Sequence, residues 1–345
     1  MTSFWIFDFG FPIVRSRRKK VSYLTLGALL LVLCSSATAQ QSKILRIGYL
    51  DPSGDPNSPN FQLEAFRRGL RDLGYIEGKK ILVEYRYAEG KPDRRLSLVR
   101  ELVQLKVDVL VLTSLDSIRE AKQVTKLIPI VMVATVDPVS AGLVDSLPRP
   151  GGNVTGLARL TRELGGKRLE LLKEVVPHGI SRLGVLWDVD SRAAGIGFKE
   201  YEAVAGALKI DLQPLEVRPP KPDLDGAFQA AAKSRVNALI TIVSGMLTRN
   251  RGQVADLAIK NRLPSMHEQI NFVEAGGLMC YSADEANIYK RAAYYVDRII
   301  KGTKPADLPV EQPTKFEFVV NLKTAKQIGL TIPPNVLARA DKVIR

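Results

Sequence analysis

Short β-branched runs alternate with longer amphipathic stretches along most of this chain. Residues 44–50 read as a first strand, and residues 61–73 then place Phe61, Ala65, Phe66 and Leu70 near helical spacing before Gly74. Residues 81–87 alternate as a strand, 96–105 form a helix, and 107–112 are an apolar run of the fully buried kind. A helix over 117–127 and a strand over 129–134 complete the series. Strand, helix, strand in regular succession predicts a parallel sheet covered on both faces.

The pattern runs a second time after Pro150-Gly151-Gly152. Strands are expected at 183–187, 211–217, 238–243 and 263–266, with helices at 197–208, 224–234 and 254–261. In both series the first and third strands stand roughly 60 residues apart, which indicates two similar lobes and not a solenoid. Gly276-Gly277 precedes a short strand to Tyr281, residues 288–300 are amphipathic, and 316–320 form a last strand before Pro333-Pro334. These elements follow two finished series, so the chain is expected to cross between lobes more than once. Several crossings make a hinge, and a hinge permits closure over a ligand.

Upstream of this pattern lies an export signal. Arg15, Arg17, Arg18, Lys19 and Lys20 form a basic segment, residues 24–33 are almost wholly apolar, and Ala37-Thr38-Ala39 supplies the small residues a signal peptidase reads. The apolar stretch falls short of the ~20 residues of a membrane span. Residues 1–39 are therefore expected to be a signal peptide with an upstream extension, cleaved after Ala39. Leu33 before Cys34 argues against lipid modification there. Ser16-Arg17-Arg18 resembles a twin-arginine signal, but Lys20 stands where an apolar residue belongs, so both export routes stay open. Residues 1–14 fit no part of such a signal; translation is expected to start at Val14, which the intact mass of the precursor checks.

Removing residues 1–39 takes away five basic residues and Asp8, which lowers the net charge from +14 to +10 and leaves 306 residues, enough for two domains. Cys280 is then the lone cysteine, so stability must come from hydrophobic cores. Lys and Arg are scattered, with no basic run interleaved with aromatics, which argues against nucleic acid and leaves a diffuse attraction to anionic surfaces.

In parallel sheets, ligands meet the loops at the carboxyl ends of strands. The loops at 51–60, 113–116, 135–139, 187–191 and 244–250 hold hydroxyls, carboxylates and glycines that can orient a small polar ligand. Their plainer role is turn formation and helix capping, which favour the same residue types. Catalytic constellations are thin. His178 and His267 read as polar-loop histidines without metal-ligand spacing, Cys280 follows apolar Leu278 and Met279, and Asp188 with Asp190 reads as a capping pair. Gly151-Gly152 and Gly165-Gly166 lack the lysine and spacing of a phosphate loop, and no Gly-x-Ser-x-Gly occurs. Nothing calls for an enzyme, a cofactor or a metal.

Seven stretches carry a family resemblance. They are Ala65-Phe66-Arg67-Arg68-Gly69-Leu70-Arg71-Asp72-Leu73-Gly74-Tyr75, Glu84-Tyr85-Arg86-Tyr87-Ala88-Glu89-Gly90, Asp137-Pro138-Val139 and Arg149-Pro150-Gly151-Gly152-Asn153-Val154-Thr155-Gly156. Gly165-Gly166-Lys167-Arg168-Leu169-Glu170-Leu171-Leu172-Lys173-Glu174, Glu274-Ala275-Gly276-Gly277-Leu278-Met279 and Asn321-Leu322-Lys323-Thr324-Ala325-Lys326 follow. In this order they resemble the ABC-transporter substrate-binding proteins with the type I periplasmic-binding fold, over nearly all of residues 43–345. Some relatives are described as binding tryptophan, tyrosine or other aromatic amino acids.

The resemblance implies an α/β fold of two similar doubly wound parallel-sheet lobes joined by three hinge crossovers. One lobe is expected over 43–155 plus about 282–308, the other over 156–281 plus about 309–345. It also implies a periplasmic monomer, one small organic ligand enclosed between the lobes, and delivery to a membrane permease driven by a separate ATPase. An exported sensor that hands its closed form to a membrane receptor would use the same cleft. A DNA-reading regulator of similar lobes needs a helix-turn-helix where this chain has an export signal.

By the resemblance, Asp137, Asn153, Thr155 and Tyr281 match cleft motifs. Loop position adds Ser53, Thr113, Ser114, Trp187, Asp188 and Gln269. Trp187 and Tyr281 are expected to stack on an aromatic ligand. Leu115-Asp116, Asp188-Val189 and Ser244 depart from what relatives commonly show, and the added Asp116 and Asp188 are expected to suit a ligand with an ammonium group.

Overall fold

The computed structural model describes Gly10 and residues 44–345, apart from 55, 57–59, 160, 162 and 163. The predicted export signal, its cleavage site and part of the 51–60 loop lie outside the described residues.

The first sheet is built from β1 (Leu45–Asp51), β2 (Ile81–Tyr87), β3 (Val109–Leu112), β4 (Ile130–Ala134) and β5 (Val154–Ala158). Its order is β2-β1-β3-β4-β5, and every neighbouring pair is parallel. Every residue of β3, β4 and β5 is buried, as a sheet covered on both faces requires. Helices α1 (Phe61–Asp72), α2 (Pro92–Gln104) and α3 (Leu115–Val124) connect the strands. In α1 the buried Leu63, Phe66 and Leu70 form one face, and the Asn60 side chain caps the start by accepting the Leu63 N–H. Residues 154–158 follow the Pro150-Gly151-Gly152 turn, but Thr155 and Gly156 interrupt their apolar run, and β5 was not expected from the sequence pattern.

The second sheet holds β6 (Arg182–Asp188), β7 (Asp211–Val217), β8 (Ala238–Thr241), β9 (Ser265–His267), β10 (Met279–Ala283), β11 (Phe316–Asn321) and β12 (Lys342–Ile344). They run in the order β12-β11-β10-β9-β8-β6-β7. Pairing is parallel except between β10 and β11, because β11 enters this sheet from the other lobe and meets β10 running the opposite way. Around it lie α4 (Gly165–Val175), α5 (Arg192–Ala207), α6 (Leu224–Lys233), α7 (Gly245–Arg249), α8 (Arg251–Lys260) and α9 (Ile270–Glu274). Farther along the chain, α10 (Glu285–Ile300) packs on α1 in the first lobe, while α11 (Leu322–Gln327) and α12 (Pro334–Leu337) belong to the second. Of these, α4, α7, α9, α11 and α12 went unread in the sequence: four are six residues or shorter, too brief to show a period.

Three passages connect the sheets. The first leaves β5 at Ala158, the second runs from Ala283 to Glu285, and the third from Glu311 to Phe316. The first and third lie side by side: Glu311 N–H donates to the Gly156 carbonyl at 3.0 Å, and Ala158 N–H to the Glu311 carbonyl at 2.9 Å. Val310 still packs within the first lobe's core. The outcome is the expected α/β pair of similar lobes.

Candidate functional site

Loops at the carboxyl ends of strands from both sheets meet around one cavity that gives the centres of water molecules about 80 Å³ to occupy. On that measure one water takes ~10–15 Å³, so there is room for a small solute. The first lobe contributes Ser53 after β1, Thr113 and Ser114 after β3, and Thr135 after β4. From the second come Ser191 after β6, Ser244 after β8 and Gln269 after β9.

Three of these serines cap helices as well as wall the cavity. Ser114 Oγ accepts the Ser117 N–H at 3.3 Å, Ser191 Oγ that of Ala194 at 3.3 Å, and Ser244 Oγ that of Leu247 at 3.2 Å. Capping and lining are thus the same arrangement, because a helix that starts at a strand's carboxyl end points its first N–H groups at the crevice.

The charged residues of the wall are already engaged. Asp116 pairs with Arg95 at 2.9 Å, so it adds no free negative charge. Asp51 accepts the N–H groups of Ser53 at 3.0 Å and Gly54 at 2.6 Å, and also the Asn60 amide. Burial raises its pKa while those bonds pull it back. Arg159, at the first passage, pairs with Glu285 at the second; the Glu285 carboxylate also accepts the Gln62 amide at 2.7 Å. Arg159, Gln62 and Arg95 line the cavity. Beneath it, Tyr289 is buried and its hydroxyl pKa is pushed up to about 12.

Behind the wall, the fully buried Arg168 ties the hinge together. Its Nε donates to the Tyr281 carbonyl at 2.8 Å, and one terminal nitrogen donates to the Thr161 carbonyl, so one guanidinium ties the first passage to β10, the strand that leads into the second. It also reaches Tyr201 Oη at 3.3 Å and Glu268 Oε1 at 3.4 Å, while Glu268 Oε2 accepts the Val243 N–H of the cavity wall at 2.8 Å.

Of the residues expected to hold a ligand, Ser53, Thr113, Ser114 and Gln269 line the cavity, and six lie elsewhere. Asn153 sits at the opposite end of its strand, where its amide donates to the carbonyls of Thr125 at 3.2 Å and Ile128 at 2.8 Å. Thr155 is buried and donates to the Leu308 carbonyl at 2.6 Å. Asp137 closes its own turn, accepting the N–H groups of Val139 and Ser140 and the Ser140 hydroxyl. Trp187 stacks on Phe198 at 4.6 Å and Tyr281 on Phe316 at 6.0 Å, each against its own lobe's core. Asp188 is buried; it accepts the Asp190 N–H at 3.1 Å and bonds the Ser244 side chain, with burial raising its pKa. The expected pair of free acids is therefore absent: Asp116 is neutralised and Asp188 braces the wall from behind. His267 is not a loop residue; it sits in β9 between Thr241 and Ser265 with its pKa lowered to about 3 by burial. Cys280 is buried, its thiol pushed up to about 12.

Sequence reading missed Gln62, Arg95 and Arg159. None has a local signal, since each is an ordinary helix or loop residue until folding brings it to the crevice.

Two α/β lobes, linked by three passages and enclosing a cavity at their strands' carboxyl ends, make this a protein of the periplasmic-binding kind. The chain belongs to the ABC transporter substrate binding protein family, which matches residues 58–344. A tyrosine-binding protein of Clostridioides difficile (strain R20291) is 26% identical over 270 residues, 77% of this chain and 76% of that protein. A Streptococcus pneumoniae ABC domain solved in complex with L-Trp superposes with a TM-score of 0.79 at 25% identity, covering 88% of this chain and all of the other. A conserved domain protein of Vibrio cholerae O1 biovar El Tor gives 0.78 at 30% identity, covering 87% of this chain and all of its own.

Proposed function

We propose that this protein is the extracytoplasmic solute receptor of an ABC import system, capturing a small organic ligand, an amino acid or an aromatic compound, between its lobes. The observation that carries the reading is the cavity itself: residues of both lobes wall it, so a solute inside touches both. Groups that contact both lobes bind the closed arrangement better than an open one, and that difference alone shifts the equilibrium towards closure. The closed form then docks on a membrane permease, and a separate ATPase drives transport. Membership of the family supports this, as do a tyrosine-binding relative and an L-Trp-bound structural neighbour. The predicted signal peptide supports a periplasmic location.

The donors suit a carboxylate. Helix starts at Ser114 and Ser191, with hydroxyls of Thr113, Thr135 and Thr248, face the cavity, while Leu115, Ala193 and Val243 give it an apolar side.

A thermal-shift screen of the purified protein against amino acids, aromatic acids, sugars, nucleosides and polyamines tests the reading. A ligand at 100 times its Kd adds about 2.7 kcal/mol of stability. One class of hits is the expected outcome; a flat response across the library refutes solute capture.

A further inference from the structure

We propose that Arg159 and Gln62 receive the anionic group of the bound solute at the hinge, with Glu285 as the residue that positions both. This rests on the solute-binding reading above and adds the place where the ligand's negative charge docks.

Arg159 directly follows β5, at the start of the first passage, and Glu285 is the first residue of α10, at the end of the second. Their ion pair therefore joins two of the three connections on which the lobes turn. The side chains are 4% and 3% exposed. Burying such charges is costly unless they are paired, so neither has a reason to be here for stability alone; apolar residues of the same volume would serve the core as well or better. What distinguishes the site is the cavity next to it. Arg159 and Gln62 both form its wall, whereas Glu285 stands behind them. A guanidinium presents five donors and a primary amide two, so both groups can serve a carboxylate on each side of the wall.

An anion entering the cavity thus shares Arg159 with Glu285. In so enclosed a place the attraction is stronger than at a surface, and planar oxyanions match the guanidinium fork. Because Arg159 lies on a passage and Gln62 on α1, this contact fixes the hinge against the first lobe while the rest of the solute meets Ser191, Ser244 and Gln269 of the second. Ligand charge is then read where the lobes pivot.

Isothermal titration of the full-length purified protein tests this, with L-tyrosine and L-tryptophan as probes and tyramine and tryptamine as the same molecules without the carboxylate. The wild type should bind the amino acids at least 100-fold more tightly than the amines. Arg159→Met should weaken amino-acid binding at least 30-fold and narrow that preference; Arg159→Lys, which keeps the charge, should lose less and guards against a misfolded first variant. Glu285→Gln should do the opposite to affinity, leaving it unchanged or several-fold tighter because a competing acceptor is gone, while lowering the ligand-free melting temperature. Folded Arg159 variants that bind within twofold of the wild type overturn the proposal, as does a Glu285→Gln variant that loses affinity as Arg159→Met does. A wild type that captures only solutes lacking an anionic group overturns this proposal and leaves solute capture standing. One that binds no small molecule overturns both.

Discussion

Gly245 offers a way to separate folding from closure. It is the first residue of α7 in the second lobe, and its neighbours across the cleft are the backbone of Pro52 and Gly90 in the first. A Cβ on Gly245 would stand 3.2 Å from the Pro52 carbonyl oxygen and 3.5 Å from Gly90 Cα. From the other side, a Cβ on Gly90 would stand 3.2 Å from the Gly245 carbonyl oxygen, and Gly90 adopts φ +71° besides. The lobes thus approach through two glycines with no side chain between them. Gly245 itself does not need a left-handed backbone, so alanine there costs its own lobe nothing and offers a helix start about 0.5–1 kcal/mol through reduced freedom of the unfolded chain. The obstacle exists only when the lobes are together. A contact of 3.2 Å to a backbone oxygen requires the lobes to part by a few tenths of an ångström, which costs about 1 kcal/mol, and a leucine would cost about 3 kcal/mol or more. At 1.4 kcal/mol per tenfold, Gly245→Ala should weaken solute binding about fivefold and Gly245→Leu on the order of 100-fold. Calorimetric titration measures the affinities and urea unfolding the ligand-free stability. Affinity should fall while stability holds or rises. Binding unchanged in the leucine variant, or affinity and stability falling together, would refute closure through the glycine contact.

Three more outcomes follow from the geometry. Arg168→Met should cost about 3–5 kcal/mol in urea unfolding, because the buried Glu268 loses its guanidinium and the carbonyls of Thr161 and Tyr281 lose a donor; a loss below 1 kcal/mol would contradict the clamp. Asn153→Ala should lower stability by about 1–2 kcal/mol through two lost carbonyl partners yet leave solute affinity unaltered, since the amide is at the far end of its strand; titration of the folded variant decides. His267 has a folded pKa of about 3 against an unfolded value of 6.5, so the unfolded chain takes up its proton first as pH falls. Its contribution is present above 6.5 and lost on the way down, by about 1.4 kcal/mol between pH 7.5 and 5.5; urea midpoints that do not fall over that interval would show the ring charged in the folded state.

Much of the fold was legible because burial on both faces leaves a strong mark. The uninterrupted apolar runs at β3 and β4 and the spacing of Phe66 and Leu70 in α1 can hardly be read otherwise. Boundaries slipped where capping decided them: α3 begins at Leu115 because Ser114 caps it, and α5 at Arg192 because Ser191 does. The site was half legible. Ser53, Thr113, Ser114 and Gln269 line the cavity because loop position after a parallel strand is itself a sequence property. Trp187 and Tyr281 pack against their own lobe's core, since aromatic residues near strand ends are as useful to a core as to a ligand.

The amino-acid pattern alone determined the strands, most of the long helices, the two series that make two lobes and the family they belong to. All depend on periodicity and on residues adjacent in the chain. Tertiary structure alone decided that Asp116 meets Arg95, that Arg159 meets Glu285 126 positions later in the chain, and that Gly90 touches Gly245. Such contacts join residues far apart in sequence, and what brings them together is the packing of two sheets and the course of three passages, which no local pattern encodes.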